Sequence, residues 1–262
     1  MAKRNKTMSK LKELFKNKSK DLCSVFFTSG FPALNDTTKV IEGLSNSGVD
    51  FIEVGLPYSD PLADGPTIQD SSSRALANGI NLDIIFDQLK SIKETNKTPL
   101  VLMGYLNQML KYGEDKFCEQ CVASGIETVI LPDLPMIEYE THYKALFSKY
   151  GISNVFLITP QTSEERIRKI DGYTDTFIYV VASASITGAK GEISQAQIDY
   201  FERIKAMNLK STLIVGFGIS NNSTFSTVCK YVNGAIIGSA FVKFLDVKGV
   251  DSIDQFVKVI LN

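Results

Sequence analysis

Eight short runs of β-branched and aromatic residues, separated by longer amphipathic stretches, limit what this chain can fold into more than any other feature. The runs cover residues 22–28, 51–54, 100–103, 128–131, 155–158, 177–181, 212–215 and 235–237. Stretches with helical spacing of apolar residues occupy 36–46, 82–95, 114–124, 138–149, 163–171, 194–207 and 222–231, and a last one at 252–261 follows the eighth run. Strand-length runs alternating with helical segments mark βαβ units, whose parallel strands need crossover helices. Eight such units in 262 residues favour one closed (β/α)8 TIM barrel, which takes about 250 residues, over an open doubly wound sheet. No composition shift or linker divides the chain, so residues 1–262 are expected to form a single domain. The lysine-rich segment 1–20 places Met8, Leu11, Leu14 and Phe15 on one face and predicts an extra N-terminal amphipathic helix that caps the barrel.

Composition removes several classes of function. The formal net charge of −1 gives no reason to expect a nucleic-acid or anionic-membrane partner. No apolar run approaches the roughly 20 residues that span a bilayer, and the basic N-terminus lacks the apolar core of a secretory signal. A cytoplasmic protein is expected. Cys118 and Cys121 form a C-x-x-C pair, but Cys23 and Cys229 do not repeat the spacing of a zinc site. Two reduced thiols on one helical face explain the pair better than a metal or redox role does, and they suit a reducing compartment. The single histidine, His142, falls on a predicted helix beside Tyr143. A metal-dependent aldolase would need clustered histidines, and a Schiff-base enzyme would need a lysine at a strand end. Neither pattern is present, and Ser183, Ser185 and Ser239 have no nearby histidine base. Carboxylate chemistry remains, and a carbon–carbon cleavage would then rely on an electron sink in the substrate.

The carboxylates stand in the stretch FIEVGLPYSDPLADGPTIQ at 51–69. Glu53 interrupts an apolar strand, where burial costs free energy unless the group is paired or used. Asp64 belongs to the Pro/Asp/Gly-rich turn that follows. Carboxylates in such unlike surroundings can hold different pKa values and divide acid and base work. A buried Glu tied into a structural network and an Asp that only shapes its turn remain the alternative. Two connections after strands, 56–80 and 182–193, are long for a compact domain and lie on the carboxyl side of strands, the catalytic face of a barrel. Glycine turns follow the last three runs: Thr187-Gly188, Gly216-Phe217-Gly218 and Gly238-Ser239. They are either ordinary tight turns or a phosphate site, since barrels frequently bind phosphate after strands seven and eight. Gly216-Phe217-Gly218 is not a dinucleotide fingerprint, because the third glycine is missing.

The segment EVGLPYSDPLADGPTIQ at 53–69, together with GYLN at 104–107, PDLP at 132–135, SITG at 185–188, GFGI at 216–219 and GSA at 238–240, resembles the alpha subunits of tryptophan synthase in order and spacing. The resemblance runs nearly end to end. It implies a lyase that splits indole-3-glycerol phosphate into indole and glyceraldehyde 3-phosphate. It also implies a beta-subunit partner in an alpha2-beta2 heterotetramer, with no cofactor in this chain and pyridoxal phosphate only in the partner. By the same resemblance Glu53 is the general acid/base and Asp64 accepts from the indole N–H. Tyr179 lies near the glutamate, and Phe26, Met103 and Ile130 line the indole pocket, although each of these four also reads as barrel packing. Phe217 contacts substrate, and Gly188, Gly218, Gly238 and Ser239 hold the phosphate. Thr187 belongs to a loop that closes over substrate, and residues 60–64 and Asn107 face the partner. The family often carries an arginine where this chain has Ser183, which weakens the case for arginine-assisted ordering of that loop and leaves the two carboxylates and the phosphate turns intact. Another phosphate-binding barrel enzyme, and a barrel kept only as an activator of its partner, are the competing readings. Segment 57–69 opposes the first, and the intact Glu53 and Asp64 oppose the second.

Overall fold

The computed structural model describes residues 9–182, 193–216 and 218–262. Met8, Ser183, Ser185, Thr187, Gly188 and Phe217, all singled out above, lie outside the described residues. Eight parallel strands pair in chain order and close into a barrel: β1 (Leu22–Thr28), β2 (Phe51–Gly55), β3 (Leu100–Met103), β4 (Thr128–Ile130), β5 (Ser153–Ile158), β6 (Phe177–Val181), β7 (Thr212–Gly216) and β8 (Gly234–Ile237), which returns to β1. The helices are α1 (Lys10–Asn17), α2 (Asp36–Asn46), α3 (Pro66–Ala77), α4 (Leu82–Ile92), α5 (Leu106–Tyr112), α6 (Glu114–Ala123), α7 (Met136–Glu138), α8 (Lys144–Tyr150), α9 (Glu164–Tyr173), α10 (Gln195–Ala206), α11 (Asn222–Val228), α12 (Ser239–Lys248) and α13 (Ile253–Leu261). A π turn, Tyr139–Tyr143, joins α7 to α8.

All eight expected strands form. The long connection after β2, however, is half helix: 56–65 and 78–80 are loop, and α3 runs between them from Pro66 to Ala77. Proline fits the first helical position, where its missing N–H costs nothing. The serine-rich sequence of α3 weakens any periodic signal, and its buried face uses hydroxyls: Ser71 Oγ sits 2.7 Å from Thr28 Oγ1 and donates to the Ile68 carbonyl at 2.9 Å. The segment at 252–261 is a second helix after β8; α12, starting at what reads as a Gly-Ser turn, comes first.

Strand register settles which residues fill the barrel. Phe26 pairs with Glu53, Glu53 with Val101, Met103 with Ile130, Ile130 with Val155, Leu157 with Tyr179, Tyr179 with Ile214, and Ile214 with Gly234. The Phe51 and Phe177 rings, from strands on opposite sides of the barrel, lie 5.6 Å apart. This face therefore points inward. Tilted strands build such an interior from layers of four side chains, each layer drawn from alternate strands. From the bottom these are Phe51, Thr128, Phe177 and Gly234; then Ser24, Val101, Val155 and Ile214; then Glu53, Ile130, Tyr179 and Ile236; then Phe26, Met103, Leu157 and Gly216 at the mouth. Helix α1 closes the floor. Ser9 caps it by accepting from the Lys12 N–H, Leu11 is buried, and the Phe15 ring meets Phe51 and Phe177 edge-on at 5.9 and 6.0 Å.

Candidate active site

Glu53 stands in the middle of this interior, fully buried, and neither carboxylate oxygen has a hydrogen-bond partner among the described residues. Burial alone drives its pKa from the ordinary 4.5 up to about 8. An isolated carboxyl in an apolar site keeps its proton because the ionised form loses its hydration. At neutral pH Glu53 is therefore an acid with a proton to give. The mouth layer seals it, with the Phe26 ring lying over Gly55.

Asp64 is held above that layer. It shares a cavity with Phe26, Gly55, Leu56, Ile68, Met103 and Tyr105. The Tyr105 hydroxyl donates to Asp64 Oδ2 at 2.9 Å and accepts from the Ala63 N–H at 3.1 Å. Burial raises the Asp64 pKa, and the Tyr105 hydrogen bond opposes that rise. The two carboxylates thus differ as their sequence contexts imply: one has no partner, and the other has a donor. The loop that presents Asp64 is tied to the start of α5. Gln108 accepts from the Tyr105 N–H at 3.0 Å and donates to the Pro57 carbonyl at 2.8 Å. Tyr58 stacks on Tyr105 at 5.0 Å, and Asn107 donates to the Tyr58 hydroxyl at 2.9 Å. The GYLN motif is therefore the clamp for the Asp64 loop. Leu62, in the same loop, is 93% exposed.

Tyr179 shares the Glu53 layer, and burial followed by the charges of Glu53 and Asp64 raises its pKa. Its hydroxyl leans over the end of β7. A Cβ on Gly216 would lie 1.9 Å from that oxygen, so only glycine fits there. Of the residues expected in the pocket, Phe26 and Met103 form the mouth, while Ile130 and Tyr179 flank Glu53. Leu157 and Tyr105 were not anticipated from the sequence. Tyr105 lay inside a noted motif, and Leu157 lay inside the expected strand 155–158, on the same face as Val155 two residues earlier.

Two of the glycine turns are described, at Gly218 after β7 and at Gly238 after β8, and these strands are neighbours in the barrel. Gly218 has φ +81°, a left-handed conformation that favours glycine, and Asn221 just beyond it caps α11 by accepting from the Thr224 N–H. Gly238 is the N-cap of α12 and has no side chain with which to cap it, so the first N–H groups of the helix starting at Ser239 are open to an anion. A Cβ on Gly238 would be 3.7 Å from Phe26, which sets this turn beside the mouth layer. His142 is on the far periphery, hydrogen-bonded to Glu114 at 2.9 Å. Cys118 and Cys121 are buried free thiols on α6. Among the described residues no group of three or more His, Cys, Asp or Glu is arranged to hold a metal, and no helix is long and apolar enough to cross a membrane.

A sequence model of the family described as tryptophan synthase alpha chain matches residues 11–261. The chain belongs to the tryptophan synthase alpha chain family. The tryptophan synthase alpha chain of Flavobacterium johnsoniae is 54% identical over 97% of this chain and 98% of its own length. That of Bacteroides thetaiotaomicron is 48% identical over 91% and 93%. Among solved structures, tryptophan synthase from M. tuberculosis in an aminoacrylate-bound form superposes with a TM-score of 0.84 at 27% identity, covering 97% of this chain and 98% of that one. A mutant tryptophan synthase alpha-subunit from Pyrococcus furiosus gives 0.84 at 34% identity over 92% and 98%. As an alpha chain the protein is a lyase and serves tryptophan biosynthesis.

Proposed function

We propose that this chain cleaves indole-3-glycerol phosphate to indole and glyceraldehyde 3-phosphate, with Glu53 as general acid/base and Asp64 as the electrostatic partner of the indole nitrogen. The observation that carries the proposal is the Glu53 carboxyl, buried without a partner among the described residues and with burial pushing its pKa up to about 8. Its proton goes to C3 of the indole ring and makes a cationic indolenine. The Glu53 carboxylate left behind takes the proton of the glyceryl hydroxyl next to the ring. The C–C bond then breaks towards the ring, which recovers its aromaticity as indole, while the hydroxyl carbon becomes the aldehyde. Glu53 ends the cycle protonated. Asp64 accepts from the N–H as positive charge grows there, and the Tyr105 donor helps keep it ionised. Because Phe26 and Met103 roof Glu53, the indole ring has to part them to reach it. Tyr179 and Ile130 form the walls around Glu53.

The phosphate is assigned to Gly218, Gly238 and Ser239, on the open N–H groups of α12. Thr187, Gly188 and Phe217 are assigned to substrate by the resemblance. The protein is taken as one barrel domain over residues 1–262, located in the cytoplasm, and paired with a beta subunit in an alpha2-beta2 assembly. Pyridoxal phosphate is expected only in that partner. The exposed Leu62 and the loop around it are the surface assigned to the partner. The test is indole release from indole-3-glycerol phosphate. Glu53→Gln is expected to abolish turnover while the phosphorylated substrate still binds, and turnover equal to wild type would remove Glu53 from the reaction.

A further inference from the structure

The barrel interior holds a polar atom that the reaction above does not use. Ser24 lies on β1, in the layer directly beneath Glu53, where its companions Val101, Val155 and Ile214 are all apolar. The residue is fully buried, and its Oγ has no hydrogen-bond partner among the described residues. A buried hydroxyl without a partner is costly, and an alanine would fill nearly the same space without that cost. Thr128 Oγ1 is also unpartnered, but it sits one layer lower between Phe51 and Phe177. Ser24 is therefore the orphan hydroxyl nearest in register to Glu53: its strand neighbour Phe26 pairs with Glu53, and Ser24 pairs with Phe51.

Glu53 needs a donor only part of the time. Protonated, it is a neutral acid. Between giving its proton to the ring and taking one from the hydroxyl, it is an anion in an apolar site. Tyr179 from β6 shares its layer and feels the Glu53 charge, and among the described residues no cation acts on Glu53. We propose that Ser24 is a positioning residue for Glu53, its hydroxyl donating to the carboxylate form that appears during turnover. The Ser24 proton stays on Ser24, and no bond to it is made or broken beyond this hydrogen bond. The proposal rests on the assignment of Glu53 as the acid.

The test follows the Glu53 carboxyl directly, by carbon-13 NMR of glutamate-labelled full-length protein across pH, in wild type and in Ser24→Ala. Losing a hydrogen bond to a charged group is expected to move the Glu53 midpoint up by about one pH unit and to lower kcat about tenfold. KM is expected to stay unchanged, because the bond strengthens only after the substrate is bound. Ser24→Thr, which keeps the hydroxyl, is expected to restore the midpoint. A midpoint in Ser24→Ala equal to wild type overturns the proposal. Full turnover by Glu53→Gln would instead remove the acid assignment, and the NMR midpoint would still report whether the hydroxyl bonds the carboxylate.

Discussion

Replacing Glu53 by Gln is expected to change the pH dependence of stability as well as activity. In the folded chain the carboxyl titrates at about 8, against an ordinary value of 4.5. Between those limits the folded state holds a proton that the unfolded state has released, so stability falls as pH rises. The contribution is fully present below pH 4.5, is lost through the interval, and levels off above about 8. At roughly 1.4 kcal/mol per pH unit, the loss is about 3 kcal/mol by pH 7, about 4 kcal/mol at pH 8 and about 5 kcal/mol on the plateau above it. That is a large part of the 5–15 kcal/mol by which domains are typically stable. Gln cannot ionise, and every other titrating group, Asp64 included, is common to both proteins. Urea unfolding of wild type and Glu53→Gln at pH 5, 7 and 8.5 isolates the effect. The stability difference should swing in favour of the variant by several kcal/mol from pH 5 to 8.5, with unchanged m-values. Parallel stability–pH curves would mean that Glu53 is not a buried neutral acid, and the mechanism would lose its proton donor.

Asp64→Asn keeps the shape of the loop but removes the charge facing the indole nitrogen, so kcat is expected to fall about 100- to 1,000-fold with modest change in KM, checked by steady-state indole release. Gly218→Leu is expected to raise KM, because a left-handed turn at φ +81° resists a branched side chain and the phosphate corner is displaced; an unchanged KM would place the phosphate elsewhere. Phe15→Ala removes the half-buried ring that meets Phe51 and Phe177 under the barrel, and chemical denaturation is expected to show a loss of about 2–3 kcal/mol, below the roughly 3–5 kcal/mol of a fully buried aromatic.

The strands were legible because barrel strands are buried on both faces and read as unbroken apolar runs. Glu53 was legible for the same reason, as the one carboxylate inside such a run. What the sequence hid depends on through-space partners. Tyr105 meets Asp64 from 41 positions away, and no local pattern announces that a motif opening α5 will hold the loop after β2. Helix α3 was hidden by its serines, of which Ser71 is buried with its hydroxyl taken up by Thr28 and the Ile68 carbonyl. Helix α12 was hidden because its first residues, Gly238-Ser239, read as a turn. The positions of Gly216 and Gly218 were readable, but the reason for Gly216, the approach of the Tyr179 ring, appears only when β6 and β7 are set side by side. Ser24 gave no signal, since one serine in an apolar run looks like strand filler until the register sets it under a carboxyl.

The central claim is that Glu53 carries a proton at neutral pH. Infrared difference spectroscopy between wild type and Glu53→Gln reads this directly. A protonated-carboxyl C=O band present at pH 7 in wild type, absent in the variant and titrating away near pH 8, is the expected result. A wild-type carboxylate signal already complete at pH 6 would contradict it.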